Sequence, residues 1–343
     1  RRMNIILTVA GILALGLAAF SYVVVLPIQP LAPPIAEPNS EEMNCATRLR
    51  EHIEQIASRP HNLLHYRDLE AAATYIERIL LSFGLVPRFQ DYEVEGRPVR
   101  NIEVVLPASA QDNADAGTNA ASRSPHAILV VGAHYDSPDD SPGANDNGTG
   151  VAALIEIARE LSIAGQSFRP AREVRLVFFV NEEQPYGKTD AMGSLRHARA
   201  LKQAGIPVMG MIALETLGYF SNEPNSQNYP PPFGLIYPTT GNFVAFVGLP
   251  GARRLVGRCV KAFRRTTAFP SIGGVAPGFI PGIDLSDHWA YHHVGYPALM
   301  VTDTAPFRNP HYHTRSDLPD TVNYAALARI TSGLTRMIRD IAA

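Results

Sequence analysis

From residue 127 onwards, the apolar positions of the chain alternate between short continuous runs and runs with helical spacing. The continuous runs predict buried strands at Ile128–Ala133, Val174–Val180, Gly210–Leu214, Val244–Val247 and Pro297–Val301. Apolar residues spaced three and four apart predict helices that begin near Val151, Leu195, Ala252 and Tyr324. Buried strands that alternate with amphipathic helices are typical of an α/β fold with a largely parallel sheet covered on both faces.

The preceding part of the chain predicts two helices followed by two strands. Helical patterning begins near Glu41, and apolar residues from Leu69 to Phe83 repeat at intervals of three and four until Gly84 ends the helix. The remaining predictions are strands at Arg88–Val94 and Val99–Leu106 and a polar surface loop at Ala108–Pro125.

An apolar segment precedes this domain. Ile5–Leu26 contains 22 residues without a charge, enough for a membrane-spanning helix at about 1.5 Å rise per residue. Arg1 and Arg2 come before it, so the positive-inside rule places the rest of the chain in the periplasm or outside the cell. We expect a single-pass signal-anchor over 1–28 in the inner or plasma membrane, a proline-rich linker over 29–40 and a folded domain over 41–343. The alternative is a cleaved signal peptide, whose apolar region is usually about 7–15 residues long.

The charge balance and the cysteine count exclude several classes of protein. The chain carries 30 basic and 32 acidic residues, a net charge of -2, and no long basic run, so no nucleic-acid partner is expected. Cys45 and Cys259 are too few for a disulfide framework or a cysteine-based zinc cluster. They form either one bridge or two separate thiols, and the sequence leaves both open.

Histidines and carboxylates follow the predicted strands at the points where those strands end. In open α/β sheets, ligands bind beyond the carboxyl ends of the strands. Histidine and carboxylate side chains at one such edge are the ligand set of zinc and similar divalent metals. The candidates are His134, Asp136, Asp146, Glu182, Glu183, Glu215 and His313.

Two pairs among these candidates have a spacing that suits a metal site. His134 and Asp136 are two residues apart, so on a strand they share a face and Asp136 can hold the histidine ring. Glu182 and Glu183 are adjacent and project differently, so one can bind a metal while the other reaches a metal-bound water. Each pair alone is more typical of ordinary polar residues, and only the combination favours a metal site.

The order of these motifs resembles the co-catalytic zinc exopeptidases, a family that includes bacterial leucyl aminopeptidases, aminopeptidase Y, glutamate carboxypeptidase and glutaminyl cyclase. The resemblance covers roughly Glu41 to the C-terminus. The segments that carry it are His134-Tyr-Asp136-Ser, Gly143-Ala-Asn-Asp146-Asn-Gly-Thr-Gly150, Asn181-Glu182-Glu183, Gly193-Ser194, Glu215, Ser286-Asp287-His288, Tyr312-His313-Thr314 and Asp317. The resemblance implies a three-layer α/β/α sandwich with a mixed, largely parallel sheet, and makes residues 41–343 a zinc peptidase catalytic domain.

The resemblance also implies two zinc ions per chain. One ion would be bound by His134, Asp146 and Glu215. The other would be bound by Asp146, Glu183 and His313, with Asp146 bridging the two. The charges agree, because two zinc ions bring four positive charges, the three carboxylates bring three negative ones, and a bridging hydroxide supplies the last.

Catalytic roles follow from the same resemblance. Glu182 would be the general base, which takes the proton of the metal-bridged hydroxide and passes it to the leaving amine. Asp136 would orient His134, and the Asp146–Asn147 peptide would be cis. Tyr312 is either a second donor to the tetrahedral oxyanion or a packed aromatic residue.

We therefore predict a membrane-anchored di-zinc metallopeptidase, an aminopeptidase that hydrolyses N-terminal residues from a peptide substrate. One alternative is a glutaminyl-cyclase-like enzyme with one zinc ion. Another is a carboxypeptidase, in which Arg308 would bind the terminal carboxylate unless it is an ordinary surface arginine. A non-catalytic binding ectodomain should have lost ligands, whereas this chain keeps all of them.

Some features depart from the family pattern or bear on substrate access. Gln184–Met192 is a nine-residue segment where simple aminopeptidases have four residues, and this insertion is expected to shape access to the site. Glu215 stands where many relatives have aspartate. His311 competes with His313 as a ligand, and the match to Tyr-His-Thr favours His313. Five aromatic residues either form walls of a substrate pocket or are packed side chains: Phe233, Tyr237, Phe279, Trp289 and Phe307.

Overall fold

A computed structural model of the chain describes residues 2–24, 39–109, 127–163, 170–231 and 233–343. Its first element is helix α1, Arg2–Val24, and in this described part of the chain no helix is long and apolar enough to cross a membrane. Residues 25–38, which include the end of the predicted anchor and most of the linker, lie outside the described residues, as does most of the predicted loop Ala108–Pro125.

The folded domain begins with two helices and continues as alternating strands and helices. The strands are β1 (Arg88–Val94), β2 (Arg97–Leu106), β3 (Ile128–His134), β4 (Val174–Phe179), β5 (Val208–Glu215), β6 (Val244–Gly248), β7 (Ser271–Val275) and β8 (Ala298–Thr302). The helices after α1 are α2 (Ser40–Ile56), α3 (Tyr66–Ser82), α4 (Gly150–Ile163), α5 (Gly193–Gln203), α6 (Arg253–Thr266), α7 (His288–His293), α8 (Ala305–Arg308) and α9 (Tyr324–Ala342). Each strand and helix predicted above from the apolar pattern of the domain is present at its expected place.

The strands form one mixed sheet in the order β1-β2-β4-β3-β5-β8-β6-β7. The central strands β4, β3, β5 and β8 are parallel, while β2 is antiparallel to β4 and β6 is antiparallel to β8. Parallel register sets His134 opposite Phe179 and Glu215 opposite Thr302, so the carboxyl ends of the central strands meet at one edge.

Helices cover both faces of the sheet. Alternate residues of β3 point to opposite faces: Leu129 and Val131 pack in the cluster formed with α2, α3, α4, α6 and α9. Ile128 and Val130 pack on the other face, against α5 and α7. All residues of β3 are therefore buried, which explains its continuous apolar run. The predicted three-layer α/β/α sandwich is confirmed.

The two cysteines are free thiols. Cys259 is buried on the inner side of α6, and Cys45 on α2 is half-buried beside the Glu156 carboxylate. The sequence left open one disulfide bridge or two separate thiols, and the structure contains two separate thiols.

Candidate metal centre

Three neighbouring parallel strands deliver side chains to one edge of the sheet. β3 ends at His134, β5 ends at Glu215, and β4 leads into Asn181, Glu182 and Glu183. Because β3 lies between β4 and β5, these ends converge. The His134 Nε2 atom lies 3.3 Å from Glu215 Oε2 and 3.9 Å from Glu182 Oε2.

Asp146 reaches the same point from the turn that leads into α4. Gly143 makes this turn with a φ of 68°, and a Cβ atom there would lie 2.4 Å from the Asp146 carbonyl oxygen, so only glycine fits. The buried Asp317 carboxylate accepts hydrogen bonds from the backbone N–H groups of Asn145 and Asp146. The Asp146–Asn147 peptide is cis, as the resemblance implied.

Asp146 belongs to two groups of side chains that are able to bind a metal ion. One group is His134, Asp146 and Glu215, and the other is Asp146, Glu183 and His313; in each, the donor atoms lie within 4.8 Å of one another. Asp146 Oδ1 is 3.5 Å from His134 Nε2, and Asp146 Oδ2 is 3.0 Å from His313 Nε2. The structure thus brings together all the predicted ligands, in the two sets that the resemblance implied.

The centre carries an excess of negative charge. Its four carboxylates belong to Asp146, Glu182, Glu183 and Glu215. Burial, together with the charges of Asp146 and Glu182, raises the pKa of Glu183 well above its usual value, and burial raises the pKa of Glu215 to about 7. Asp146 Oδ1 is buried and has no hydrogen-bond partner within the described residues. Crowded carboxylates, an unpartnered oxygen and two histidines are the donor chemistry that suits Zn²⁺.

Asp136 supports this centre in a way that the sequence did not predict. Its Oδ1 and Oδ2 atoms accept hydrogen bonds from the backbone N–H groups of Glu182 and Glu183, each at 3.1 Å. The His134 ring Nδ1 lies 3.1 Å from the Asp136 backbone oxygen and 3.7 Å from its carboxylate. The carboxylate therefore fixes the two glutamates, and the closest contact to the histidine ring comes from the backbone carbonyl.

Ser286 is a residue that sequence analysis missed. Its hydroxyl donates a hydrogen bond to Glu215 Oε2 at 2.8 Å, and both residues are buried. The Ser-Asp-His motif marked the segment, but a motif does not show which carboxylate the serine contacts.

The other histidines near the C-terminal end lie outside both groups. His311 Nδ1 contacts Ser316 Oγ at 2.9 Å, which leaves His313 as the histidine beside Asp146. His288 Nε2 contacts the backbone oxygen of Ile283, and burial lowers the pKa of His288 to about 4, so its ring is neutral.

An apolar pocket opens beside the metal centre, with Glu215 and Tyr312 among its lining residues. Its empty volume is about 870 Å³, open mouth included. Phe233, Tyr237 and Phe307 line it, as predicted. The other two do not line this pocket: Phe279 is 86% exposed, and Trp289 packs against His293 with 4.9 Å between ring centroids, which agrees with its packing alternative.

Tyr312 keeps a protonated hydroxyl next to the carboxylates. Burial and the charges of Asp146 and Glu183 raise its pKa far above the usual value. Its ring also stacks on His313, with 3.9 Å between centroids. Both predicted roles, oxyanion donor and packed aromatic, therefore agree with its position.

The prediction that Arg308 is an ordinary surface arginine is wrong. Arg308 is buried, and its guanidinium donates hydrogen bonds to Gln227 Oε1 at 2.6 Å and to the backbone oxygens of Phe243 and Gly241 at 2.9 and 3.1 Å. Arg308 is therefore not a surface arginine, and its binding of a terminal carboxylate stays a prediction.

The insertion Gln184–Met192 contacts the loop that lines the apolar pocket. Lys188 Nζ forms an ion pair with Asp284 Oδ2 at 2.6 Å, and the neighbouring Ile283 and Leu285 line the pocket. This contact places the insertion beside the pocket, and its effect on substrate access stays a prediction.

The sequence matches a protein family and several related proteins. The profile of Peptidase family M28 matches residues 116–338. The chain is 37% identical over 289 residues to the uncharacterized protein YfbL of Escherichia coli (strain K12), covering 81% of this chain and 82% of YfbL. It is 26% identical over 207 residues to a probable leucine aminopeptidase of Arthroderma otae, covering 57% of this chain and 48% of that protein. The match therefore spans about half of that aminopeptidase.

Solved structures share the fold. An aminopeptidase from Aneurinibacillus sp. strain AM-1 matches with a TM-score of 0.63 and 15% identity, over 85% of this chain and 93% of that one. A glutaminyl cyclase from Fimbriiglobus ruber matches with a TM-score of 0.62 and 17% identity, over 91% of this chain and 99% of that one. At such low identity these likenesses show the fold alone.

Proposed function

The chain belongs to peptidase family M28 and is a zinc metallopeptidase, and we propose that it is a di-zinc aminopeptidase acting on peptides with an apolar N-terminal residue. The observation that carries the proposal is the pair of donor groups that share Asp146. Two ions held by a shared carboxylate lie close enough to act on one substrate carbonyl.

The apolar pocket supports the choice of substrate. It begins at Glu215, a member of one donor group, and its walls include Phe233, Tyr237 and Phe307. A peptide whose scissile carbonyl lies at the metal centre would place an adjacent side chain in this pocket. Each buried methylene is worth about 0.8 kcal/mol, so leucine should be preferred to alanine by roughly tenfold or more in kcat/KM.

The chain's own residues supply the proton transfers and the orientation. Zinc, when bound by the two donor groups, polarises the scissile carbonyl and acidifies water. Glu182 takes the proton of the attacking water and delivers it to the leaving amine. Tyr312 donates a hydrogen bond to the oxygen that becomes negatively charged. Asp136 holds the Glu182 backbone, so the base keeps its place during both transfers.

Hydrolysis of aminoacyl p-nitroanilides tests this proposal. We expect leucine and phenylalanine derivatives to be cleaved with a higher kcat/KM than the glutamate derivative, and a chelator to abolish all three activities. N-acetylation of the leucine substrate should also abolish cleavage. Equal cleavage of the acetylated substrate would contradict an aminopeptidase.

The pocket offers a matched pair of variants. Phe233→Ala removes a wall, so kcat/KM for the leucine substrate should fall by about tenfold while the alanine substrate changes little. Phe279→Ala, outside the pocket lining and 86% exposed, should change neither value. If kcat/KM fell equally for the leucine and alanine substrates in Phe233→Ala, with thermal unfolding unchanged, the substrate side chain would bind outside this pocket.

A glutaminyl-cyclase-like reaction is the second candidate, since solved cyclases share the fold. A cyclase would convert peptides with N-terminal glutamine to pyroglutamyl peptides with one zinc ion. Mass spectrometry of a glutamine-led peptide distinguishes the reactions, because cyclisation removes ammonia whereas aminopeptidase action removes the whole residue.

Membrane anchoring is part of the proposal and is supported by sequence alone. Ile5–Leu26 is free of charge and follows two arginines. We expect the full chain to stay in the membrane fraction after a carbonate wash, with the domain accessible from the periplasmic or extracellular side. A mature soluble form that begins between about Ala18 and Glu37 would show a cleaved signal peptide instead.

A further inference from the structure

Helix α6 concentrates positive charge to a degree unlike the rest of the chain. Six of its fourteen residues are basic and none is acidic, whereas the whole chain has 30 basic and 32 acidic residues. The apolar side of α6 is buried, with Val256, Cys259 and Phe263 in the core. The basic residues are Arg253, Arg254, Arg258, Lys261, Arg264 and Arg265.

Four of these residues form an exposed line along the helix, which we call the basic stripe: Arg254, Arg258, Lys261 and Arg265. Their spacing of four, three and four residues keeps them on one face. At 1.5 Å per residue, the stripe is about 16 Å long. Arg265 pairs with Asp340 of α9, whereas the other three have no ion-pair partner within the described residues.

The stripe is electrostatically unfavourable for an isolated helix. Like charges three or four residues apart repel each other, and no acid on α6 offsets them. Arg254 also lies in the first turn, where the helix dipole disfavours cations, whereas Arg265 lies in the last turn, where the dipole favours them. An anionic surface against the stripe would relieve both effects.

We propose that the basic stripe docks the catalytic domain on an anionic phospholipid bilayer. A straight row of cations on a convex helix face is complementary to a flat layer of phosphate groups, and under the proposed orientation these belong to the extracytoplasmic leaflet. The charge-free segment Ile5–Leu26 and the short proline-rich linker would hold the domain close to such a bilayer and so raise its effective concentration there. This closeness rests on the proposed anchor, while the stripe itself is independent of the proposed reaction.

The three lysines of the chain provide an internal test. Lys261 lies in the stripe, Lys202 on α5 in the opposite layer, and Lys188 in the insertion near the pocket. The full chain is placed in nanodiscs of phosphatidylcholine, with or without phosphatidylglycerol, and acylated with a water-soluble amine reagent. Mass spectrometry gives the rate at each lysine.

We expect phosphatidylglycerol to slow acylation of Lys261 by about threefold or more, relative to Lys188 and Lys202 in the same sample. High salt should remove the difference, because it screens exposed charges. The double variant Arg254→Gln/Arg258→Gln should also remove the protection of Lys261 by phosphatidylglycerol. This variant keeps Lys261 as the reporter. The control Arg67→Gln with Arg78→Gln removes the same charge from exposed positions on α3 and should keep the protection.

Several results would overturn the docking. These are equal Lys261 rates in both lipids, protection that survives high salt, or protection that persists in the Arg254/Arg258 double variant. Protection by single-stranded DNA but not by phosphatidylglycerol would assign the stripe to nucleic acid. A chain that fails to co-elute with phosphatidylcholine discs would refute the anchor alone. In that case, protection of Lys261 by phosphatidylglycerol would still support the docking. The absence of this protection would overturn the docking.

Discussion

Glu182 and Glu183 are neighbours in sequence but face different parts of the metal centre. Glu183 Oε2 lies 3.6 Å from His313 Nε2, whereas Glu182 Oε2 lies 3.9 Å from His134 Nε2. The Asp136 carboxylate holds both backbone N–H groups, so neither side chain can easily take the other's place.

This difference predicts opposite effects of two similar substitutions. Glu182→Gln should keep the zinc content and lower kcat by about 10²–10⁴-fold, the usual share of a general base. Glu183→Gln should lose zinc, because it removes a ligand. Metal analysis and steady-state kinetics on both variants check this. Zinc loss in Glu182→Gln with retention in Glu183→Gln would reverse the two roles.

Ser286 gives a prediction for a residue that supports a ligand. Without its hydroxyl, Glu215 loses a hydrogen-bond donor that orients it, so Ser286→Ala should weaken zinc affinity by about 10–100-fold. Competition with a chromogenic chelator measures the affinity. Ser162→Ala on α4, whose hydroxyl bonds to the Arg159 backbone oxygen, is the control. An unchanged affinity in Ser286→Ala would mean that Glu215 needs no such support.

The positions of the candidate ligands could be predicted from the sequence, whereas supporting contacts could not. The candidate ligands follow strand ends or family motifs, and both are local patterns. Ser286 contacts a residue 71 positions away in the sequence, and Asp317 contacts residues 171 and 172 positions away. Only the folded chain shows which groups these two residues contact. The same holds for Arg308, whose acceptors come from loops far earlier in the chain.

At the level of elements, burial on both faces explains which strands were predictable. β3, β4, β5 and β8 are covered by helices on both sides and appear as mostly apolar runs, interrupted in β4 by Arg175. β7 was missed, because Ser271-Ile-Gly-Gly-Val275 is short, contains two glycines and lies at the sheet edge, where β6 is its one strand partner among the described residues. It nevertheless lines the apolar pocket, so the sequence pattern missed part of the proposed substrate site.

Glu156 on α4 ties two helices together. Its carboxylate is 1% exposed and accepts hydrogen bonds from Arg48 of α2, at 2.7 Å, and from Arg159. Burial alone would raise its pKa, but the hydrogen bonds from His52 and Arg48 hold the pKa at about 2. Glu156→Gln should therefore lower the free energy of unfolding by about 3 kcal/mol at neutral pH.

The pH dependence of that loss has a defined sign. Because the folded pKa of Glu156 lies below its ordinary value of 4.5, its stabilisation is complete above about pH 4.5 and is lost as the pH falls towards about 2. Urea unfolding of wild type and Glu156→Gln should thus converge over this range. A difference that stays constant down to pH 2 would show that the charge of Glu156 is not what stabilises the pair of helices.

For the whole molecule, the main apolar core and the candidate metal centre lie beyond the first forty residues. The main apolar core draws its fully buried residues from Leu49 onwards, and every predicted ligand lies at His134 or beyond. A chain that starts near Glu41 should therefore be soluble, folded and active, with kcat close to that of the full chain. Circular dichroism and peptidase assays of the two forms check this, and an unfolded short form would show that the first forty residues contribute to folding.

The proposed reaction depends on two zinc ions that share Asp146. Native mass spectrometry of the purified enzyme, titrated with zinc while activity is followed, tests this centre. We predict two zinc ions per chain at full activity, and loss of both sites in Asp146→Asn while thermal unfolding remains cooperative. Full activity with a single zinc ion, with no gain when more is added, would contradict the two-ion centre.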